Sequence, residues 1–428
     1  MNKNWKTALL FTLLVMGLNL ALIFDVGFLS DDWSILERTQ NGSIFSAVEQ
    51  HHYSPFVTAI FKITNTYSLS PLWIHLLAFT LHGVNIYLTL SLCDSLKMNR
   101  WEKWITATLF ALSPAGFESL AWCCAIGYIL CSTWIILALQ ITISSSHTQS
   151  RSFPYKLALL QLLAFATWDW GILLTPLVGV VKWFYLEEYN FKGTLPAIFI
   201  WCGVLLMKKL TGFSLGYETN STTTALQHAA TSFMLTLWPD FSRNFYSSFW
   251  GLILACFTLL AYLWMSYRDR ISRLGLLLFL VSVMPVALIG YPQSRYVYLS
   301  ALFLYWILAR LLNPGLIGKS LAIVYVFFSI MWTVERKDLW IEAHHQAQFY
   351  RKNVESALKT YEKVALLNSP DQLKGSSLVW LPPIWRCGTE CFGPNVLIMN
   401  PYGKKPLTEE DIPPTYEILH IGELRKLH

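Results

Sequence analysis

The sequence predicts an all-α polytopic membrane protein of about eleven spanning helices, closed by a small α/β domain outside the membrane. Three observations predict it. Of 428 residues, 54% are hydrophobic and 14% charged, with mean hydropathy +0.42; a soluble domain carries about 25% charge. Basic connections between apolar runs recur on the same side, with Arg38 and Lys62 of the first outside loop as exceptions. From Glu335 the composition changes: residues 1–334 hold 20 Lys+Arg against 14 Asp+Glu, whereas 335–428 hold 12 of each. The positive excess is therefore spread among membrane segments as positive-inside bias, not gathered into a nucleic-acid patch.

The first apolar run, 7–24, follows Lys3 and Lys6 and lacks a small-residue cleavage site, so it reads as a retained signal-anchor helix. Further runs lie at 71–93, 104–117, 119–143, 155–169, 171–186, 194–210, 245–267, 274–290, 295–312 and 317–334. With the N-terminus cytoplasmic, inside connections carry Lys97, Arg100, Lys103, Arg151, Lys156, Lys182, Lys192, Arg268, Arg270, Arg273, Arg310 and Lys319. Lys208 and Lys209 fit this alternation less well and mark a helix end.

The first outside loop, 25–70, holds adjacent carboxylates at Asp31 and Asp32, then His51, His52 and Pro55. Two acids beside a membrane segment are costly unless they bind a cation, pair with a base or do chemistry. The plain alternative is a solvated Asp-Asp that caps a short helix at Trp33. Residues 43–50 and 56–67 have apolar residues at helical spacing and predict short helices along the membrane surface. In the next run His75, His82 and Asn85 share roughly one face; interhelical hydrogen bonds explain them better than ligation.

Within the Ser/Thr/Gly-rich loop 208–244, residues 225–237 predict an amphipathic helix. Asn41 and Asn220 begin glycosylation sequons by pattern. In the tail, spacing from Trp340 to Ala365 predicts a helix ending near Leu367, followed by strands at SSLVWLP, NVLIMN and YEILHI. Six cysteines lie in or beside apolar runs as small fillers. Cys387 and Cys391 sit in a polar stretch without nearby ligands, favouring a disulfide over zinc. The domains expected are thus a membrane part, 1–334, with an amphipathic outer loop, and an extracytoplasmic part, 335–428.

The alternation brings Asp31, Asp32, Glu118, Asp169 and Arg295 to one level at the outer face. Four stretches in that order resemble the GT-C glycosyltransferases, which include protein O-mannosyltransferases, aminoarabinose transferases and tetratricopeptide-containing transmembrane mannosyltransferases. They are SDDW at Ser30–Trp33, PLWIHLLAFTLHGVN at Pro71–Asn85, SPAGFESLAW at Ser113–Trp122 and SRYVYLS at Ser294–Ser300; WDWGILLTP at Trp168–Pro176 is looser. The resemblance spans about 10–310 and leaves the tail uncovered. It implies a base at Asp31 with Asp32 beside it, the second-loop acid at Glu118, and Arg295 with Tyr296 at the lipid phosphate. Asp169, His51 and His52 are candidates for an acceptor or secondary site. A divalent metal ion is the one cofactor admitted, with Asp31 and Glu118 as its carboxylates. Departures at Ser54, Ser113, Trp168, Ser294 and Ser300 leave the acceptor and any metal open.

The function implied is inverting transfer of a sugar from a polyprenyl-phosphate donor to an acceptor hydroxyl on a glycan, lipid or protein. The expected setting is a bacterial inner or plasma membrane, with site and tail extracytoplasmic. An arginine suits the negative charge that builds on phosphate, and a carboxylate can take the hydroxyl proton. A transporter or flippase of lipid-linked sugars would instead show internal repeats and helices broken at mid-bilayer. A non-catalytic polymer-assembly scaffold would leave the acids and Arg295 without a common purpose.

Overall fold

The structure is a computed structural model. It describes residues 17, 23–29, 31–44, 54–145, 152–188, 192–210, 221–237, 249–289, 293–312, 315–361, 364–367, 396–399 and 417–420. Among them the chain is overwhelmingly helical. Among the described residues four helical stretches, Pro71–Ser95, Cys123–Ser144, Arg270–Leu288 and Leu316–His345, are long and apolar enough to cross a membrane; Phe153–Thr167, Lys192–Met207 and Ile253–Arg268 are shorter apolar ones. The chain is a multi-pass integral membrane protein. The segments 7–24 and Cys387–Cys391, with their expected anchor and disulfide, lie outside the described residues, apart from Gly17, Ile23 and Phe24.

Two short helices lead in: α1 (Asp31–Asn41) and α2 (Pro55–Thr66). Asn65 Nδ2 donates to the Leu36 carbonyl and, at 2.8 Å, to Thr39 Oγ1, while Lys62 Nζ reaches the Gly42 carbonyl at 2.8 Å. These bonds fold the first loop onto itself. The central pair is α3 (Pro71–Ser95) against α6 (Ile126–Ser145). Between them run α4 (Arg100–Ala111) and α5 (Pro114–Ala121). The run expected at 104–117 is therefore two helices, because Pro114 has no N–H to continue the first and instead opens the second. Ser113 caps α5 by accepting the Ala115 N–H at 3.2 Å.

The chain continues through α7 (Phe153–Thr167), a 3₁₀ turn (Asp169–Leu173), α8 (Leu174–Val180) with a π turn after it (Val181–Tyr185), and α9 (Leu195–Leu210). Then come α10 (Thr222–Leu237), α11 (Phe249–Arg268), α12 (Arg270–Ile289), a 3₁₀ turn (Ser294–Val297) and α13 (Tyr298–Leu311). α13 is buried almost throughout, between α4 and α12. Leu260, Leu263 and Trp264 of α11 and Leu280, Met284 and Leu288 of α12 face outward, as lipid-facing positions would.

The last helix, α14 (Leu316–Ala357), is 42 residues long and passes without a break through the composition change at 334/335. It ends before the Leu367 expected, because Val364–Leu367 is β1 of a parallel sheet. β1 lies between β2 (Val396–Met399) and β3 (Glu417–His420), which come from NVLIMN and YEILHI. The SSLVWLP stretch lies outside the described residues.

Candidate functional site

One end of the bundle collects most of the described basic connections, paired with acids. Lys103 Nζ meets Asp94 at 2.7 Å, Lys182 meets Glu188 at 3.1 Å, and Arg270 meets Glu187 at 2.5 Å. Arg310 bridges Asp269 and, at 3.3 Å, Glu102. Glu102 is placed there by a capping box, in which Asn99 and Glu102 exchange side chain to backbone bonds at 2.9 and 3.1 Å. Trp101 Nε1 joins the same end to the Leu312 carbonyl at 2.7 Å.

Four connections meet elsewhere. The extended segment 26–29 lies beside α5 through His75 of α3, whose ring nitrogens approach the Val26 and Leu120 carbonyls, each at 3.0 Å. Trp122 Nε1 donates to the Leu29 carbonyl at 3.3 Å. Asp32 completes the seam. Its Oδ2 accepts the Leu29 N–H at 2.9 Å and its Oδ1 accepts the Cys124 N–H at 2.7 Å, with no exposed surface. Asp31 opens α1 immediately before it. α14 closes over this seam: His344 packs on Gly27, where a Cβ would collide with the imidazole.

Glu118, near the middle of α5, faces the turn that carries Arg295. Glu118 Oε1 is bonded by Arg295 Nη1, and Oε2 accepts the Arg295 backbone N–H at 3.1 Å. Both side chains are nearly buried, at 11% and 12% exposure. The guanidinium carbon lies 4.7 Å from the Trp122 ring centre and 4.6 Å from that of Tyr296, and Nη2 donates to the Tyr296 hydroxyl at 3.2 Å. Arg295 is anchored from below. The Tyr298 hydroxyl, three residues on, meets His82 Nδ1 at 2.7 Å and Asn85 Nδ2 at 3.1 Å. His75, His82 and Asn85 thus make the interhelical bonds expected of them.

The turn Asp169–Leu173 arrives on the other flank. Trp170 packs on Tyr296 at 5.3 Å between ring centres, and Tyr128 touches Trp168, Trp170 and Tyr296 at 5.3, 5.7 and 5.6 Å. The structure therefore places Asp32, Glu118, Asp169, Arg295 and Tyr296 on connected elements around this seam. His51 and His52 lie outside the described residues. Trp122, Tyr128 and Trp170 border this candidate site without having been singled out in the sequence, where 19 tryptophans and 20 tyrosines conceal them.

Among the described residues no group of three or more His, Cys, Asp or Glu side chains could hold a metal ion. Glu118 faces Arg295, and Asp32 faces backbone amides. The side chain of Asp31, the other carboxylate expected at a metal, lies outside what the structure describes.

No family model matches the sequence, and no curated protein matches it. Solved structures similar to it include the following two. One is ArnT from Cupriavidus metallidurans bound to undecaprenyl phosphate, with TM-score 0.47 and 10% identity over 82% of this chain and 73% of that one. The other is the Archaeoglobus fulgidus oligosaccharyltransferase complexed with zinc and sulfate, with TM-score 0.45 and 12% identity over 83% of this chain and 59% of that one.

Proposed function

We propose that this chain is an inverting glycosyltransferase that moves a sugar from a polyprenyl-phosphate donor to an acceptor hydroxyl. The observation that carries the reading is Arg295, a nearly buried cation at a 3₁₀ turn, which holds a carboxylate through its guanidinium and its own backbone N–H. A phosphate presents the same kind of acceptor oxygens, so this grip suits a lipid phosphate that displaces Glu118.

In the reaction the acceptor oxygen attacks the anomeric carbon as the bond from that carbon to the phosphate oxygen breaks. The phosphate leaves with the bonding pair, and its charge is met by Arg295. The acceptor's proton passes to a carboxylate. Asp32 is committed to the Leu29 and Cys124 amides, so the base in this reading is Asp31 and Asp32 positions it. Attack opposite the departing phosphate inverts the centre.

The site faces outward in this reading, because the cluster of basic connections around Arg310 lies at the other end. Single-turnover transfer from polyprenyl-phosphate hexoses in nanodiscs tests the proposal. Product with an inverted anomeric centre, lost in Asp31→Asn, is expected. Donor hydrolysis and transfer both absent across all hexoses and simple acceptors would overturn it.

A further inference from the structure

Next to Arg295 stands a cluster of aromatic rings that the reaction above leaves without a task. Trp168, Trp170 and Tyr296 are each partly exposed, while Tyr128 behind them is buried. Trp170 lies at 35° to Tyr296, and Tyr128 meets Trp170 edge-on at 85°. The rings are fixed from behind. A Cβ on Gly127 would lie 2.7 Å from the Trp168 ring, so helix α6 admits that indole only because residue 127 is glycine. Gln161, fully buried in α7, donates to the Gly171 carbonyl at 2.9 Å and accepts from Thr175 Oγ1 at 2.7 Å. Trp201 Nε1 holds the Ile172 carbonyl at 2.8 Å. The turn bearing Trp170 is thus stapled to α7 and α9, and its indole is held in place before any ligand arrives.

We propose that Trp168, Trp170 and Tyr296 form a pyranose-binding platform for the sugar of the donor, an inference that rests on the proposed function and goes beyond it. A pyranose ring has a face of C–H groups and a rim of hydroxyls. The C–H face is matched by the negative face of an aromatic ring, and a rigid aromatic orders at little entropic cost. Position selects the donor sugar over an acceptor. Tyr296 lies 4.6 Å from the Arg295 guanidinium and 5.3 Å from the Trp170 ring, so it joins the phosphate-binding arginine to the aromatic cluster. A phosphate on Arg295 carries its sugar one bond away, toward these rings. The same π faces lie near the positive charge that develops at the anomeric carbon.

The test compares bare polyprenyl phosphate with the same lipid bearing glucose, galactose, mannose or N-acetylglucosamine, binding to the full chain in nanodiscs. At least one sugar should tighten binding about tenfold, equivalent to ~1.4 kcal/mol. Trp170→Leu should remove that increment and leave bare-lipid affinity within about twofold, whereas Trp170→Phe should keep most of it. An increment that survives Trp170→Leu overturns the platform. So does a parallel loss for both lipids, which marks a packing role, or a Trp170 dependence confined to free methyl pyranosides, which marks an acceptor site. Arg295-dependent binding of bare lipid with no gain from any sugar sinks the platform alone. Failure of every lipid phosphate to bind the unmodified chain overturns the functional reading and the platform with it.

Discussion

Glu118 grips Arg295 with both carboxylate oxygens, one on the guanidinium and one on the backbone N–H at 3.1 Å, across 177 positions of sequence. The pair joins α5 to the turn before α13, so the site and the helix packing share one contact. A nearly buried ion pair costs about 3–5 kcal/mol when only one partner is removed, because the other charge is stranded. Arg295→Ala and Glu118→Gln should therefore both destabilise the protein. They should part on addition of ligand. In Glu118→Gln a polyprenyl phosphate can re-pair Arg295, so it should raise the melting temperature more than in the unmodified protein. In Arg295→Ala it should raise it little. Equal shifts in all three proteins would separate Arg295 from the phosphate.

The adjacent acids should behave oppositely. Asp32 satisfies two amides with two oxygens, and Asp32→Asn turns one of those oxygens into a donor facing a donor. About 1–3 kcal/mol of stability should go with it, from the buried N–H left unpaired. Asp31→Asn should keep the melting temperature and lose turnover by about 10²-fold or more. Thermal unfolding and single-turnover rates on both variants decide it; a stable, inactive Asp32→Asn beside an active Asp31→Asn would exchange the roles.

This contrast marks a boundary of what the residues alone could tell. Adjacent helix positions point about 100° apart, so nothing in SDDW says which acid turns inward to the Leu29 and Cys124 amides. Apolar runs are local signals, so the spanning helix Pro71–Ser95 is legible in the run 71–93. Leu316–Ala357 runs as one helix across the composition change at 334/335, because a change of polarity marks where a helix leaves an apolar environment and not where it stops. Nothing between Lys319 and Ala357 breaks it, for Gly318 is its last glycine and it has no proline. Val364–Leu367 reads as the end of a helix in the sequence yet forms β1, since four apolar residues fit either period. The Glu118–Arg295 pairing was legible only as a shared level; its geometry depends on α5 and α13 meeting far apart in sequence.

Tyr298 should act on the site through position alone. Its hydroxyl is held by His82 and Asn85, three residues from Arg295. Tyr298→Phe leaves those two buried groups without that partner, at about 1–3 kcal/mol of stability. Affinity for polyprenyl phosphate should fall several-fold while the hexose preference stays unchanged, since the aromatic rings are untouched. A changed hexose preference, read from the same binding panel, would place Tyr298 nearer the sugar than its burial beneath the turn implies.

Gly127 and Trp168 should be energetically coupled. A methyl at residue 127 would enter the Trp168 ring at 2.7 Å and also meet Val57 Cγ2 at 3.1 Å, so it cannot be relieved by moving one atom. Overpacking of this kind typically costs about 1–3 kcal/mol. Gly127→Ala should therefore destabilise the protein and displace the indole from Tyr128, against which it now packs at 5.3 Å. Trp168→Leu should destabilise by removing that contact. Combined, the two should cost less than their sum, because the clash of the first has lost its partner; the remaining strain is that against Val57. The coupling from a double-mutant cycle of thermal unfolding should be about 1 kcal/mol in the relieving direction. Simple additivity would mean that α6 yields at residue 127 by shifting its backbone, and that the indole is not held by that contact.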